Sequence, residues 1–185
     1  VINIDINTDI FWGESSQEAD MYDYLSHTEE TKVFGIKVKR LTTTYDFIAL
    51  CLHHYKDLNS LYLLWKRGIS LSTFCDIYYY LEKIPLDTQE LKQICNKLNV
   101  AEYVYCSIFQ TNIVFERSKL RKCLNELVPV NAKSLHKRIG LSENQYKQLP
   151  DFIANYAFDE NFHQVLDNLL TTEEIEQIKT NDLFL

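Results

Sequence analysis

Apolar residues recur at three- and four-residue steps through Leu41 to Leu81, LTTTYDFIALCLHHYKDLNSLYLLWKRGISLSTFCDIYYYL. Thr43 stands three residues before Asp46 at the head of the first run. Its hydroxyl can accept from a free backbone N–H, and the acid suits the positive end of a helix dipole. Phe47, Leu50, Cys51, His54 and Tyr55 then mark one stripe, with Ile48 and Leu52 beside it. So wide an apolar surface predicts a buried helix. After a short polar break a second helix is predicted from about Ser70, carrying Leu71, Phe74, Cys75, Ile77, Tyr78 and Leu81, with Ser70 or Ser72 as its cap. Two polar residues interrupt these apolar faces, His53 in the first helix and Asp76 in the second. Burying a charge is costly unless it is paired, so the two are expected to meet or to face a polar cleft.

The amino end has a different period. Ile2, Ile4 and Ile6 alternate with Asn3, Asp5 and Asn7 in VINIDINTDIFW, which predicts a half-buried strand over residues 1–12. Residues 33–40, VFGIKVKR, alternate again, with Phe34, Ile36 and Val38 on one face and Lys37 and Lys39 on the other. The two strands are expected to pair antiparallel. The polar, acidic stretch between them, Gly13 to Thr31, reads as a loop with a short helix at Met21–Leu25. After Leu81 the pattern stays helical. Pro85 breaks it and Asp87 restarts it, placing Leu91, Ile94, Cys95 and Leu98 on one face. Ala101 to Phe115 forms another apolar helix, and a short amphipathic piece runs from Ser118 to Val128. Gly140 reads as a C-cap closing a modest basic run, Lys133, Lys137 and Arg138. Ser142 opens a turn, Phe152 to Leu169 supplies further core residues, and Thr172 heads a last acidic helix.

These elements give a mainly α chain with a small N-terminal antiparallel β-ribbon, an α+β arrangement. A ribbon over residues 1–40 precedes a helical domain over 41–185, with a possible sub-boundary near 116–130. Only four glycines and three prolines argue against phosphate-binding glycine loops and all-β architecture. A net charge of −7 weighs against nucleic acid, whose binding depends on phosphate neutralisation. No apolar run approaches the ~20 residues of a membrane span. The five cysteines lack CxxC spacing and mostly fall on apolar faces, which suits core residues in a reducing, cytoplasmic setting and not zinc ligands.

The stretch LCLHHYKD, followed by ISLSTFCDIYYYL, resembles a family of uncharacterised bacterial nucleotidyltransferases. Its members have a nucleotidyltransferase-fold head and a helical C-terminal region. Ile4-Asp5-Ile6 resembles the family's third acidic strand, and Gly35 to Asp46 its strand-to-helix passage. Together the likeness covers roughly residues 1–84. His53 and Asp76 occupy the family's helical His and Asp positions. Asn7 and Asp57 stand where the family often has histidines, and neither the Gly-Ser turn nor the paired carboxylates of the head occur in this chain. The resemblance implies a helical bundle packed on a partial nucleotidyltransferase-type sheet, transfer of a nucleoside monophosphate from NTP to an unidentified hydroxyl or amine acceptor, Mg²⁺ as cofactor, and Asp5 as catalytic and metal-binding carboxylate. Two such ions normally need several carboxylates, so the chain is expected to be inactive by itself.

The residues admit plainer readings. Asp5 and Asp9 could be the solvent face of a strand, and His53 with Asp76 could be a helix–helix hydrogen bond instead of a substrate-facing pair. The competing function is a non-catalytic helical interaction module, docking a protein partner through an apolar groove near Tyr62 and Trp65.

Overall fold

A computed structural model describes residues 21–128 and 135–181. The predicted strand over 1–12, with Asp5 and Asp9, lies outside the described residues, as does Lys133. The chain opens with α1 (Met21–Ser26) and a β-hairpin of β1 (Thr28–Val33) and β2 (Ile36–Leu41). Helices α2 (Thr43–Asn59), α3 (Leu61–Arg67), α4 (Ser72–Lys83), α5 (Thr88–Lys97), α6 (Ala101–Phe115) and α7 (Ser118–Leu127) follow. Beyond them come β3 (Arg138–Ile139), β4 (Lys147–Gln148), α8 (Phe162–Leu169) and α9 (Thr172–Asn181), with 3₁₀ turns at Glu143–Gln145 and Ile153–Phe158. The described chain is mostly helical with two small antiparallel two-strand sheets, β1–β2 and β3–β4, the mainly α class of α+β fold that its sequence predicts.

β2 pairs with β1, in register Thr28↔Leu41 to Val33↔Ile36, so one strand of the described ribbon comes from a stretch that reads as loop in the sequence. Thr28 to Thr31 reads as loop from sequence because both faces of the ribbon are wet and no alternation survives. Phe34 and Gly35 are not strand residues. Both have positive φ and make a two-residue turn whose twist matches the strands it joins. The Val/Ile face, expected inward, is exposed at Val33, Ile36 and Val38, and Phe34 is fully so. Cross-strand pairs Glu29–Arg40 and Glu30–Lys37 are exposed and contribute at most ~1 kcal/mol each. The base of the hairpin is held more firmly. Buried Tyr24 donates to the Tyr45 carbonyl at 2.6 Å, His27 stacks on Tyr45, and Lys97 reaches Asp23 at 2.7 Å.

Two hydrophobic cores share α2. Phe47, Ile48, Cys51, Leu52 and Tyr55 enter the first, with Ile77 and Leu81 of α4, Leu91 and Cys95 of α5, and Val104 and Ile108 of α6. Leu58, one turn further along α2, enters the second with Leu61 and Leu64 of α3, Phe74 of α4, and Ile153, Phe162 and Leu166 from the carboxy-terminal part. Each such aliphatic or aromatic side chain gains roughly 1.5–3 kcal/mol from burial. Ser107 of α6 donates to the Cys51 carbonyl at 2.7 Å, so α2 and α6 are also stapled by a buried hydrogen bond.

The caps differ in detail from those predicted. Thr42, not Thr43, is the N-cap of α2 and makes no side-chain cap bond, while Thr44 donates to Glu90 of α5. The polar break after α2 is itself helical: Ser60 ends α2 and caps α3 by accepting from the Leu63 N–H. Leu71 is the N-cap of α4, with Ser70 and Ser72 bonded to each other. Asp87 caps α5 as predicted, accepting from the Gln89 and Glu90 N–H groups. Gly140 is not a helix C-cap. Its N–H donates to the Asn59 carbonyl at the end of α2, and a Cβ there would sit 2.5 Å from the Gln145 carbonyl oxygen. A glycine is therefore required by close backbone approach.

Candidate functional site

Leu50, His53, His54 and Asp57 fall at i, i+3, i+4 and i+7, the spacing of one helix stripe. They form one wall of a hollow of about 330 Å³; Ser72, Thr73, Cys75 and Asp76 of α4 form the other. Phe74 and Ile77 of α4 are buried in the two cores, so burial there leaves Asp76 exposed on a different side of the helix. His53 and Asp76, singled out in the sequence, thus line the same hollow. They do not bond each other. His53 Nε2 lies 3.4 Å from Asp57 Oδ2 one turn along α2. The Asp76 carboxylate makes no hydrogen bond or ion pair among the described residues. An adjoining hollow of about 280 Å³ shares Asp57, Ser72 and Thr73 and adds Arg67, Gly68 and Ser70.

His54 is the residue that sequence reasoning passed over. Its periodicity places it with the core, and it is only 4% exposed, its ring edge-on to Phe74. Neither ring nitrogen has a hydrogen-bond partner among the described residues. Burial drives its pKa down to about 3, with neighbouring His53 pushing the same way. The ring is therefore neutral at pH 7 and presents one unused donor and one unused acceptor. In the sequence Asp57 stands out only as a departure from the family pattern. The sequence signal for both is the polar stripe His53, His54 and Asp57 at three- and four-residue spacing.

The family model for uncharacterised nucleotidyltransferase matches residues 1–116, from the first residue to just past the end of α6. The chain belongs to that family. No curated protein and no solved structure matches the chain. The family-matched stretch contains both helices of the hollow and the core helices behind them, whereas α7 to α9 lie beyond it.

Family membership makes a metal site the next question. Among the described residues no group of three or more His, Cys, Asp or Glu could hold a metal ion. The acids of the hollow, Asp57 and Asp76, do not assemble a magnesium set, which calls for several oxygen ligands in octahedral order. Asp5, the metal candidate by resemblance, lies outside the described residues.

The other sequence candidates take structural places. Tyr62 and Trp65 pack against the second core, Trp65 edge-on to His163, and do not line either hollow. The three consecutive tyrosines of α4 diverge: Tyr78 stacks on Phe115, Tyr79 is exposed, and Tyr80 donates to the Thr43 carbonyl and Asp46. Lys137 and Arg138 lie over the rings of Phe152 and Tyr146. No described helix is long and apolar enough to cross a membrane.

Proposed function

We propose that this chain is part of a nucleotidyltransferase that moves a nucleoside monophosphate from an NTP to a hydroxyl or amine of an acceptor, with the hollow between α2 and α4 on the acceptor side. The observation that carries the reading is the family match over residues 1–116. The bond between the α-phosphorus and the bridging oxygen to the β-phosphorus breaks, and pyrophosphate leaves with that electron pair. The acceptor oxygen or nitrogen forms the new bond to the α-phosphorus and gives up its proton. Catalysis of this kind is largely positioning and charge stabilisation.

Within that scheme the helical part orients the acceptor. His53, Asp57 and Asp76 offer it hydrogen-bonding partners on a scaffold fixed by the buried faces of α2 and α4. Magnesium remains the ion implied by family likeness, but the described helices supply no set for it and no step is assigned to it. Asp5 is the proposed catalytic and metal-binding carboxylate, and residues 1–185 alone are expected to show no turnover. All five cysteines are free and four are buried, which supports a reducing, cytoplasmic location.

The test uses the natural protein that contains this chain, supplied with NTP labelled at the α-phosphate. Transfer of label to an acceptor with release of pyrophosphate, abolished by Asp5→Asn, is the expected result. Label transfer that survives Asp5→Asn undiminished, or NTP cleavage that yields only orthophosphate, would overturn the proposal.

A further inference from the structure

We infer that the free edge of β2 receives the chain's own opening segment, residues 1–12, as a third strand. The strand order is then 1–12, β2, β1, and Asp5 stands on the lysine-bearing face of the sheet. The inference does not rest on the transferase reading; it gives a position to the carboxylate which that reading uses.

The ribbon itself calls for an occupant. Two strands alone are marginal in water, and an unpaired edge invites pairing. Among the described residues β2 has only β1 beside it. The alternation of side chains puts Val33, Ile36 and Val38 on one face, and Lys32, Lys37 and Lys39 with Glu30 on the other. The first face is apolar and uncovered, Ile36 being 68% exposed. The second sets three lysines against one acid, which meets Lys37 at 3.2 Å. Lys32 lies directly across from Lys37, a like-charged pair that destabilises the ribbon as it stands. A strand that is apolar on one side and acidic on the other answers both faces.

Residues 1–12 have that pattern. Ile2, Ile4, Ile6 and Ile10 share one side, and Asp5 and Asp9 the other. Charge selects the edge. Along β2 the acids meet Lys37 and Lys39 while the isoleucines meet Ile36 and Val38; along β1 the same two sides would meet Glu30 and Glu29. Reach allows the pairing. Tyr24 and His27 tie α1 to the foot of the hairpin. The eight residues from Gly13 to Asp20 span up to about 27 Å when extended, more than the ~20 Å length of β2. The edge also has backbone groups to offer. The Thr42 N–H donates to the His27 carbonyl at 2.9 Å, so by alternation Ile36, Val38 and Arg40 bond toward β1, and the N–H groups of Lys37 and Lys39 point away from it.

The experiment is amide hydrogen exchange of the full 185-residue chain, read by NMR at two protein concentrations. The Lys37 and Lys39 amides are expected to be protected equally at both. Ile4→Asn breaks the apolar side, and Asp5→Lys sets a lysine against Lys37 and Lys39. Each is expected to speed exchange at those two amides about tenfold or more, with the Phe47 and Ile48 amides of α2 unchanged. Should Ile4→Asn cost the α2 amides as well, Asp5→Lys decides. Exchange of Lys37 and Lys39 at the unstructured rate, protection that neither variant alters, or protection that vanishes on dilution, the mark of a second copy on the edge, would overturn the inference. Edge protection that needs residues 1–12, with no nucleotide transfer by the natural protein, upholds the strand and sinks the transferase reading. Transfer that depends on Asp5 beside an unprotected edge does the reverse.

Discussion

The two cores are built differently. The first is assembled from long helices, α2, α4, α5, α6 and α7, whose buried residues follow three- and four-residue steps. The second gathers one turn of α2, the seven-residue α3, two-residue strands and a 3₁₀ segment around Phe74, Ile139, Ile153 and Phe162. Short pieces cannot satisfy their own backbone, so this core leans on side-chain hydrogen bonds. Gln110 of α6, almost fully buried, donates to the His136 carbonyl at 2.7 Å and accepts from the Ala154 N–H at 3.1 Å. The first core is held chiefly by apolar packing, the second by packing and a few polar pins. The hollow lies at their seam: on α2, His54 is flanked by residues of the first core and touches Phe74 of the second.

The strongest way to break that contrast is Gln110→Leu. It leaves the His136 carbonyl and the Ala154 N–H unpaired, at a cost of about 2–4 kcal/mol in total. Hydrogen exchange should then show Ile153–Phe158 and α8 losing protection while α2, α5 and α6 keep theirs. Uniform loss across both regions would mean that the cores fold as one unit.

A smaller effect concerns the seam. In the folded chain the pKa of His54 is depressed to about 3, against an unfolded value of about 6.5. The unfolded state therefore binds more protons below pH 6.5. The contribution of neutral His54 is complete above that pH and is lost progressively as pH falls toward 3. By pH 5 the loss is about 2 kcal/mol. His54→Phe should flatten the fall in urea midpoint between pH 7 and pH 5; an unchanged slope would show that the ring is not buried uncharged. His136, whose pKa burial also lowers, leaves a weaker residual slope.

The smallest effect is expected at the residue most conspicuous in the sequence. His53 is largely exposed and makes only an i,i+4 pair with Asp57. His53→Ala should change stability by no more than ~0.5 kcal/mol in thermal melts. A loss of 2 kcal/mol or more would make it a packing residue and remove it from the hollow's chemistry.

Legibility followed the same division. The helices from α5 to α7 are readable almost to the residue because their apolar stripes, the Asp87 cap and Pro85 all agree. Helix α3 was missed because seven residues span too few turns to establish a period. Strand β1 is not legible because TEET has no apolar member and its turn uses Phe34, a bulky side chain rarely found at positive φ. For the hollow, His53 and Asp76 stand out as polar interruptions of apolar helices. His54 did not, since a buried histidine without a partner looks like any core position until distances are known. Asp5, the carboxylate singled out by resemblance, lies outside the described residues.

The link from Gly140 to Asn59 carries a practical consequence. A chain ended at Glu116 would strip the last turn of α2 of its outside donor and bare Leu58, Leu61, Leu64 and Phe74 together. Such a fragment should clump or lose the seam altogether. The stretch that shares ancestry with other transferases and the stretch able to stand upright in water are therefore different lengths of the same polypeptide.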